Sequence, residues 1–270
     1  MKKIDAHIHF RRDAPHFDRL AQESGYENSE SYIREAFQKE NIVHAVVMSN
    51  LSMEADDLDF PEFCSYCAGI GHDALDEDKV LHSIEMAEFH LNEANCVGLK
   101  IYAGYTHRDL SDHAYTPFYE LAQKNGKPVA VHMGVTAHSR ALLKYCHPLQ
   151  MDQVAVSFPN VQFVMCHFGN PWLMDAAAVL EKNENVAADL SGLIAGKLDV
   201  ESYLRDQHGY VEQLRTWIHY VENYDKFMFG TDWPLTGFGD YLRLFEHIIP
   251  EKHLEKFYCN NACRIYKLPV

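Results

Sequence analysis

The sequence predicts a single (β/α)8 barrel that spans residues 1–270, and three observations support this fold class. Eight short apolar segments recur at intervals of about 20–40 residues, and most precede a helical pattern. Alternation of this kind is typical of parallel βα units, and eight such units fill a TIM barrel of about 250 residues. No linker or low-complexity tract divides the chain. A doubly wound sheet is the alternative, but no G-x-G-x-x-G motif follows a predicted strand.

In the first half of the chain, apolar β-favouring runs predict strands and helical spacing of apolar residues predicts helices. The segment 11–29 is polar with few apolar anchors, so it is expected to be a long loop over the barrel mouth. The predicted elements are strand 4–10, helix 30–40, strand 43–48, strand 63–70, helix 76–95 and strand 97–102.

In the second half, a helix is expected to open at Thr116 as N-cap with Pro117 at the first helical position, and to end at Gly126. Segment 137–156 is expected to be helical, with an interruption at Pro148. The other predicted elements are strands 128–133, 161–167, 186–190 and 226–232, and helices 175–182, 210–222, 240–249 and 255–266.

The amino-acid composition limits the classes of partner that this protein is expected to have. The chain has 39 acidic and 24 basic residues and a net charge of −15, which argues against a nucleic-acid or anionic-membrane partner. No run of 18 apolar residues and no signal-peptide core is present, so no membrane span is expected. Seven scattered cysteines indicate reduced thiols and a cytoplasmic protein. Cys64 and Cys67 form a C-x-x-C that is interpreted as two core thiols, because no second ligand pair accompanies it.

The first strand carries His7 and His9, two residues apart. Residues i and i+2 of a strand point the same way, roughly 6.5 Å apart along the backbone, so both imidazoles can reach one ion. Ile4, Ala6 and Ile8 are expected on the other side, where the barrel meets its helices. An H-x-H pair alone is a weak signal in a chain with 17 histidines.

Polar side chains at the ends of several strands strengthen this signal. They are His7, His9, Lys100, His132, His167 and Asp232. Barrel enzymes place their chemistry at the carboxyl ends of the strands. Imidazoles and a carboxylate are ligands suited to zinc or manganese, so the sequence predicts a divalent metal site there.

Five segments resemble the signature strands of the amidohydrolase superfamily of metal-dependent hydrolases: 5–9 (DAHIH), 98–102 (GLKIY), 131–134 (VHMG), 166–170 (CHFGN) and 229–234 (FGTDWP). The end of the chain, with Asn261, Ala262, Arg264 and Leu268, is similar to the closing helix of the amidohydrolase-related branch, which also holds non-oxidative decarboxylases. The resemblance implies that His7, His9 and Asp232 bind the buried metal. It implies that His132 and His167 bind a second metal, or complete a single-metal site together with substrate.

Lys100 decides between one ion and two. An ammonium group has no lone pair for a metal. Near two cations its pKa should fall, and the neutral amine can add carbon dioxide to form a bridging carbamate, as the similar strand of dihydroorotase-like members does. The alternative is an unmodified lysine that pairs with a substrate carboxylate or lies outside the barrel. Zinc is the favoured ion and manganese the alternative.

The expected function is metal-dependent hydrolysis of an amide, lactone or ester bond in a small, carboxylate-bearing substrate. Asp232 is expected to act as general base and then general acid. The candidate substrate-binding residues follow strands four and five: Tyr102, Tyr105, His107, Arg108, His138 and Arg140. Asp189 and Ser191 are expected to line the pocket. The alternatives are a metal-dependent decarboxylase, with Asp232 protonating carbon, and a metal-binding barrel without turnover. A homo-oligomer is left open.

Overall fold

Eight parallel strands form one sheet whose spatial order follows the sequence, from β1 to β8. The computed structural model describes residues 1–12, 14–54 and 58–268. The strands are β1 Lys3–Ile8, β2 Ile42–Met48, β3 Cys64–Ile70, β4 Cys96–Ile101, β5 Val129–His132, β6 Phe163–Cys166, β7 Val186–Asp189 and β8 Phe227–Met228.

Helices cover the outside of the sheet, and most lie between consecutive strands. They are α1 Pro15–Glu23, α2 Glu30–Glu40, α3 Val80–Asn92, α4 Ala103–Thr106, α5 Thr116–Asn125, α6 Leu149–Ser157, α7 Leu173–Lys182, α8 Val200–Asp206, α9 His208–Tyr220, α10 Phe238–Ile248 and α11 Asn261–Tyr266. This confirms the predicted (β/α)8 barrel. None of the helices in the described ranges is both long and apolar enough to cross a bilayer.

The barrel closes where the first strand meets the segment after the last. The Ala6 amide donates to the Phe229 carbonyl at 2.9 Å, and the His9 amide donates to the Trp233 carbonyl at 2.7 Å. Between them, the Asp232 amide donates to the His7 carbonyl at 2.8 Å. Because β8 itself has only two residues, these bonds hold Asp232 on a loop against β1.

The barrel interior is filled by small and medium apolar residues from every strand. This inner cluster contains no residue of α1–α10 among the described residues, which separates it from the larger cluster between the strands and the outer helices. Its strand members are Ile4, Ala6, Val46, Met48, Cys67, Val97, Ala130, Val164, Cys166, Ala187 and Met228. Residues of α11 join it and close the end of the barrel opposite the strand ends that carry the histidines.

The expected facing of β1 is wrong in part. Ile4 and Ala6 belong to the inner cluster, and only Ile8 packs in the outer one. The pairing with β2 shows the reason, because the register shifts between Asp5 and Ile8. Such a bulge lets neighbouring side chains share a face, so that Ala6 and His7 both point inward.

Two loop and helix predictions are also wrong. The predicted loop 11–29 contains α1, which has Pro15 in its first turn and buries Ala21. The predicted helix 137–156 is irregular up to Pro148, apart from a 3-10 turn at Leu143–Tyr145, and only α6 is helical. Proline lacks the N–H group that a helix interior needs, so a helix cannot run through Pro148, and α6 begins only after it.

The remaining differences are smaller. Thr116 is the first helical residue of α5 and not its N-cap, because a 3-10 turn at His113–Tyr115 leads directly into it. Gly126 ends α5 with φ +57°, as predicted. The predicted helix 255–266 is a π-helical turn, Lys256–Asn260, followed by α11. The unpredicted α8 precedes α9.

Candidate metal centre

The strand ends bring the predicted side chains together at one end of the barrel. His7 Nε2 lies 3.4 Å and His9 Nε2 lies 3.2 Å from Asp232 Oδ1. His132 Nδ1 lies 3.1 Å from His167 Nε2. The rings of His7 and His167 are 4.8 Å apart between centroids, so the two groups adjoin.

In the first group, His7 Nε2 and Asp232 Oδ1 are two atoms with lone pairs that face each other without a proton between them. His7 Nδ1 donates to Asp189 Oδ2 at 2.9 Å. Burial lowers the pKa of His7 to about 4, so the ring is neutral at pH 7 and its Nε2 carries no proton. His7 Nε2 and Asp232 Oδ1 are buried and have no hydrogen-bond partner within the described ranges. A buried polar atom without a partner is costly, and a cation would satisfy both atoms.

The spacing of these atoms fits a metal ion. Two nitrogen or oxygen ligands on one tetrahedral zinc, at bonds of 2.0–2.2 Å, lie about 3.3–3.5 Å apart. The observed separations of 3.4 and 3.2 Å are close to that range. His7, His9 and Asp232 also form one of the groups of potential ligands whose donor atoms all lie within 4.8 Å of one another.

The second group shows the same pattern. Ser191 Oγ donates to Asp189 Oδ1 at 2.5 Å and therefore accepts from His167 Nδ1 at 2.9 Å. His132 Nε2 lies 3.2 Å from the Val135 carbonyl, which can only accept. Burial lowers the pKa of both histidines, which favours neutral rings. With their other nitrogens protonated, His132 Nδ1 and His167 Nε2 present lone pairs to each other, as two ligands of one ion do.

Asp189 is buried beneath the two groups and hydrogen-bonds to both of them. One oxygen accepts from His7, and the other accepts from Ser191 Oγ and from the amides of Ser191 and His167. Burial opposes ionisation of Asp189, but His7, His167 and Lys100 outweigh it and hold its pKa below the usual range. The sequence predicted Asp189 and Ser191 as pocket residues, whereas the structure buries both behind the histidines.

The backbone is strained at two of the candidate ligands, Asp232 and His167. Asp232 has φ 63° and His167 has φ 61°, in a region that residues other than glycine rarely adopt. Strain of this kind is typical of functional sites. Gly192, with φ +62°, approaches both side chains, and a Cβ there would lie 2.7 Å from Asp232 Oδ2 and 2.8 Å from His167 Nδ1. Only glycine fits this position.

Asp232 is held as a carboxylate. Burial opposes its ionisation, but His167, followed by His9 and His7, brings its pKa well below the usual range. Asp232 Oδ2, the oxygen turned away from His7 and His9, lies 4.0 Å from His167 Nδ1.

Asp5 ties the two ligand-bearing segments together. Its carboxyl accepts from the Thr231 amide at 3.0 Å, the Thr231 hydroxyl at 2.7 Å and the His7 amide at 3.1 Å. Burial raises its pKa to about 7. Asp5 thus fixes His7 of β1 relative to the segment that carries Asp232.

Lys100 points into the barrel and is fully buried. Its Nζ donates to Cys166 Sγ at 2.8 Å and lies 5.1 Å from the centroid of the Tyr102 ring. This placement excludes the alternative in which Lys100 lies outside the barrel.

A cavity of about 640 Å³ opens onto the metal centre. Of the residues predicted to bind substrate, Tyr102 and Tyr105 line this cavity. In the part of the chain that the structure describes, Arg108 and Arg140 are outside this lining, and Arg108 pairs with Asp112 at 3.1 Å. His138 lines the cavity, whereas His107 Nε2 lies 2.8 Å from the Arg140 carbonyl.

Sequence reasoning missed the cavity wall that α1 provides. Phe17 stacks on His9, with ring centroids 6.1 Å apart and planes at 12°. The other contributions from this region and the adjoining loops are Arg11, Ala14, Pro15, His16, Leu20, Asn50, Leu51, Pro234 and Leu235. The proline at the start of a short amphipathic stretch was the available signal for α1.

The sequence profile of the family described as amidohydrolase matches residues 4–268. No protein of curated function matches this sequence at a significant level.

Solved structures match over nearly the whole chain. An uncharacterised TIM-barrel protein, Bb4693 of Bordetella bronchiseptica, has a TM-score of 0.74 and 18% identity, covering 99% of both chains. An amidohydrolase of Burkholderia multivorans with bound zinc has a TM-score of 0.68 and 16% identity, covering 100% of both chains. The 5-carboxyvanillate decarboxylase of Novosphingobium aromaticivorans, with manganese and a nitrobenzoic acid, has a TM-score of 0.69 and 12% identity, covering 99% of this chain and 96% of that one. At these identities the likeness shows the fold alone.

Proposed function

Since the chain belongs to the amidohydrolase family, we propose that it is a metal-dependent hydrolase of small carboxylate-bearing substrates, cleaving an amide, lactone or ester bond. The observation that carries the proposal is the pair of facing lone-pair atoms His7 Nε2 and Asp232 Oδ1, with His9 Nε2 3.2 Å from the same oxygen. Within the described residues no hydrogen bond satisfies the first two atoms, and a divalent ion would satisfy both.

His7 Nε2, His9 Nε2 and Asp232 Oδ1 would hold the buried ion. His132 Nδ1 and His167 Nε2 would hold a second ion or complete a single-ion site together with substrate. When bound, the metal makes a water nucleophilic near neutral pH and polarises a substrate carbonyl. Zinc suits this nitrogen and oxygen set, and manganese is the alternative. The zinc and manganese in the two structural neighbours agree with either choice.

Asp232 is the proposed proton carrier. Its Oδ2 takes a proton from the attacking water and then delivers it to the leaving nitrogen or oxygen. Its lowered pKa keeps it in the carboxylate form at pH 7, which is the form that can accept a proton. Gly192 and the strained backbone fix the carboxylate in the orientation that serves both roles.

The cavity supports a small substrate with one apolar side. Phe17 and Leu20 of α1 form an apolar wall, and Tyr102 and Tyr105 form part of the opposite lining. Arg11 lines this cavity and Arg108 does not, so we assign the substrate carboxylate to the side of Arg11.

A decarboxylase is the second candidate, because a manganese-containing 5-carboxyvanillate decarboxylase has the same fold. His7, His9 and Asp232 would suffice to hold the single ion that such a reaction needs. Lys100, whose Nζ lies 2.8 Å from Cys166 Sγ, is the residue whose carbamate would bridge two ions in the hydrolase. Lys100→Ala separates the candidates: loss of about one of two bound ions, with partial recovery by short carboxylic acids, supports the bridged hydrolase site. Unchanged metal content in the Lys100→Ala protein supports a site that holds a single ion.

Assays on a panel of small lactones, amides, esters and aromatic carboxylates test the reaction directly. Release of carbon dioxide from a carboxylate identifies the lyase, whereas release of acid from a lactone or ester identifies the hydrolase. A folded, metal-loaded protein that does neither across the panel would leave the third interpretation, a barrel that binds metal without turnover.

The proton-carrier role is tested with Asp232→Asn on whichever substrate turns over. Asparagine keeps an oxygen for the metal but cannot carry a proton, so kcat should fall by about 10²–10⁴-fold while bound metal is largely retained. Asp175→Asn, at a half-exposed position on α7, is the matched control and should leave kcat unchanged. A folded, metal-loaded Asp232→Asn protein with near wild-type kcat would remove the role from both the hydrolase and the decarboxylase.

A further inference from the structure

Two thiols lie at the end of the barrel opposite the metal centre. Cys259, in the π-helical turn, and Cys263, in α11, are partly exposed and pack against the inner cluster beside the start of β1. The other five cysteines are buried: Cys64, Cys67, Cys96, Cys146 and Cys166.

The two sulfur atoms have the spacing of metal ligands. Cys259 and Cys263 are four residues apart on one helical face, and their Sγ atoms are 3.9 Å apart. Two thiolates on one tetrahedral zinc, at bonds of about 2.3 Å, lie about 3.8 Å apart. The observed separation is far longer than the disulfide bond length of about 2.05 Å. The pair therefore needs almost no movement to hold one cation.

The surroundings leave room for a bound ion. An open cavity of about 600 Å³ runs along this helical face, and its lining residues are Met1, Lys2, Glu255, Cys259, Asn260, Cys263 and Arg264. Burial, followed by the neighbouring Cys259, raises the pKa of Cys263 to about 11, so binding of a cation has to displace a proton from this thiol. Glu255, one turn earlier, lines the same cavity and adds a negative charge to it. The π-helical turn Lys256–Asn260 is a second indication of a functional site, because such turns occur frequently at functional sites.

We propose that Cys259 and Cys263 form a binding site for one thiophilic divalent cation of the zinc class, separate from the catalytic metal centre. The two thiols give up their protons to solvent, and two sulfur–metal bonds form. Water molecules take the remaining positions, and no oxidation is involved. The ligand chemistry differs from that of the catalytic centre, where imidazole and carboxylate groups face the cavity.

Cadmium is the probe, because thiolate bound to Cd²⁺ gives an ultraviolet charge-transfer band that imidazole and carboxylate do not. The intact metal-loaded protein, kept reduced with a phosphine, is titrated with CdCl₂. We expect one equivalent to produce the band in the wild type, and the band to be lost in both Cys259→Ser and Cys263→Ser. Cys64→Ala, which removes a buried thiol, is the matched control and should retain the band.

Two results would overturn the assignment. The first is a wild-type protein that shows no thiolate band up to a several-fold excess of cadmium. The second is a band that persists unchanged in Cys259→Ser, which would place the thiolate ligand at Cys166 or another buried cysteine. Both positions are partly exposed, so the serine variants are expected to fold, and circular dichroism checks this independently.

Discussion

Replacement of Asp189 by asparagine should weaken metal binding without touching a ligand. In the native arrangement both carboxylate oxygens only accept: one from His7 Nδ1, the other from Ser191 and the His167 amide. An asparagine amide has one accepting and one donating end. In either orientation, the introduced amide can accept hydrogen bonds only on one side, from His7 or from Ser191 and His167, but not from both.

The two orientations have different costs. If the amide nitrogen faces His7, the ring must move its proton to Nε2 and loses the lone pair that faces Asp232. If it faces the amides of Ser191 and His167, buried donors lose their acceptor, at about 1–3 kcal/mol each. Loss of an outer-shell partner typically reduces metal affinity about 10–100-fold, which corresponds to about 1.4–2.7 kcal/mol. We expect Asp189→Asn to fall in this range.

The dissociation constant is measured by competition with a chromophoric chelator, and long-range proton–nitrogen NMR spectra report the protonated nitrogen of His7. Ser191→Ala is a variant within the same network that spares the contact between Asp189 and His7, so it should leave the His7 tautomer unchanged. Asp152→Asn, whose carboxylate pairs with Lys182 at the surface, is the distant control. A folded Asp189→Asn protein with wild-type affinity and an unchanged His7 tautomer would refute the reasoning.

Three further predictions concern the same centre. The double variant His7→Ala/His9→Ala should lose the buried ion, and elemental analysis that found full occupancy would rule out this ligand assignment. Gly192→Ala should disturb both Asp232 and His167, since a Cβ collides with their side chains and φ +62° adds about 1–2 kcal/mol of strain; we expect loss of metal and activity, which metal titration and urea unfolding measure. The metal-free protein should lose about 3 kcal/mol of stability to His7 as the pH falls from 6.5 to about 4, because the unfolded ring takes up a proton at 6.5 and the buried ring only at about 4. Urea unfolding of wild type and His7→Gln at both pH values isolates this contribution, and an equal pH dependence in the two proteins would contradict it.

The barrel and the ends of its strands were predictable because both depend on local patterns. Apolar runs of strand length marked every strand, and the histidines and Asp232 followed directly from where those runs stopped. The facing of Ala6 was not predictable, because it depends on how β1 is paired with β2. A one-residue bulge reverses the side-chain alternation that a single sequence supports.

The residues that support the proposed ligands do so through contacts with residues distant in sequence. Asp189 is 182 residues from His7, and Lys100 is 66 residues from Cys166, so the chain pattern contained no sign of either contact. Arg108 is different, because its partner Asp112 is only four residues away in the loop between α4 and α5, and that carboxylate was visible in the sequence. A close local carboxylate is a reason to discount an arginine as an anion-binding candidate.

The position of α1 has a consequence for engineering and for evolutionary divergence. The proposed catalytic groups come from the barrel, whereas Phe17 and Leu20 project from a nine-residue helix in the connection between β1 and α2. Mutational libraries at Leu20 should therefore alter which molecules enter while leaving the proposed reactive groups and their hydrogen bonds in place. Substitutions at Leu20 should combine almost independently with those in the barrel, whereas substitutions of Phe17 should couple to His9, on which its ring stacks.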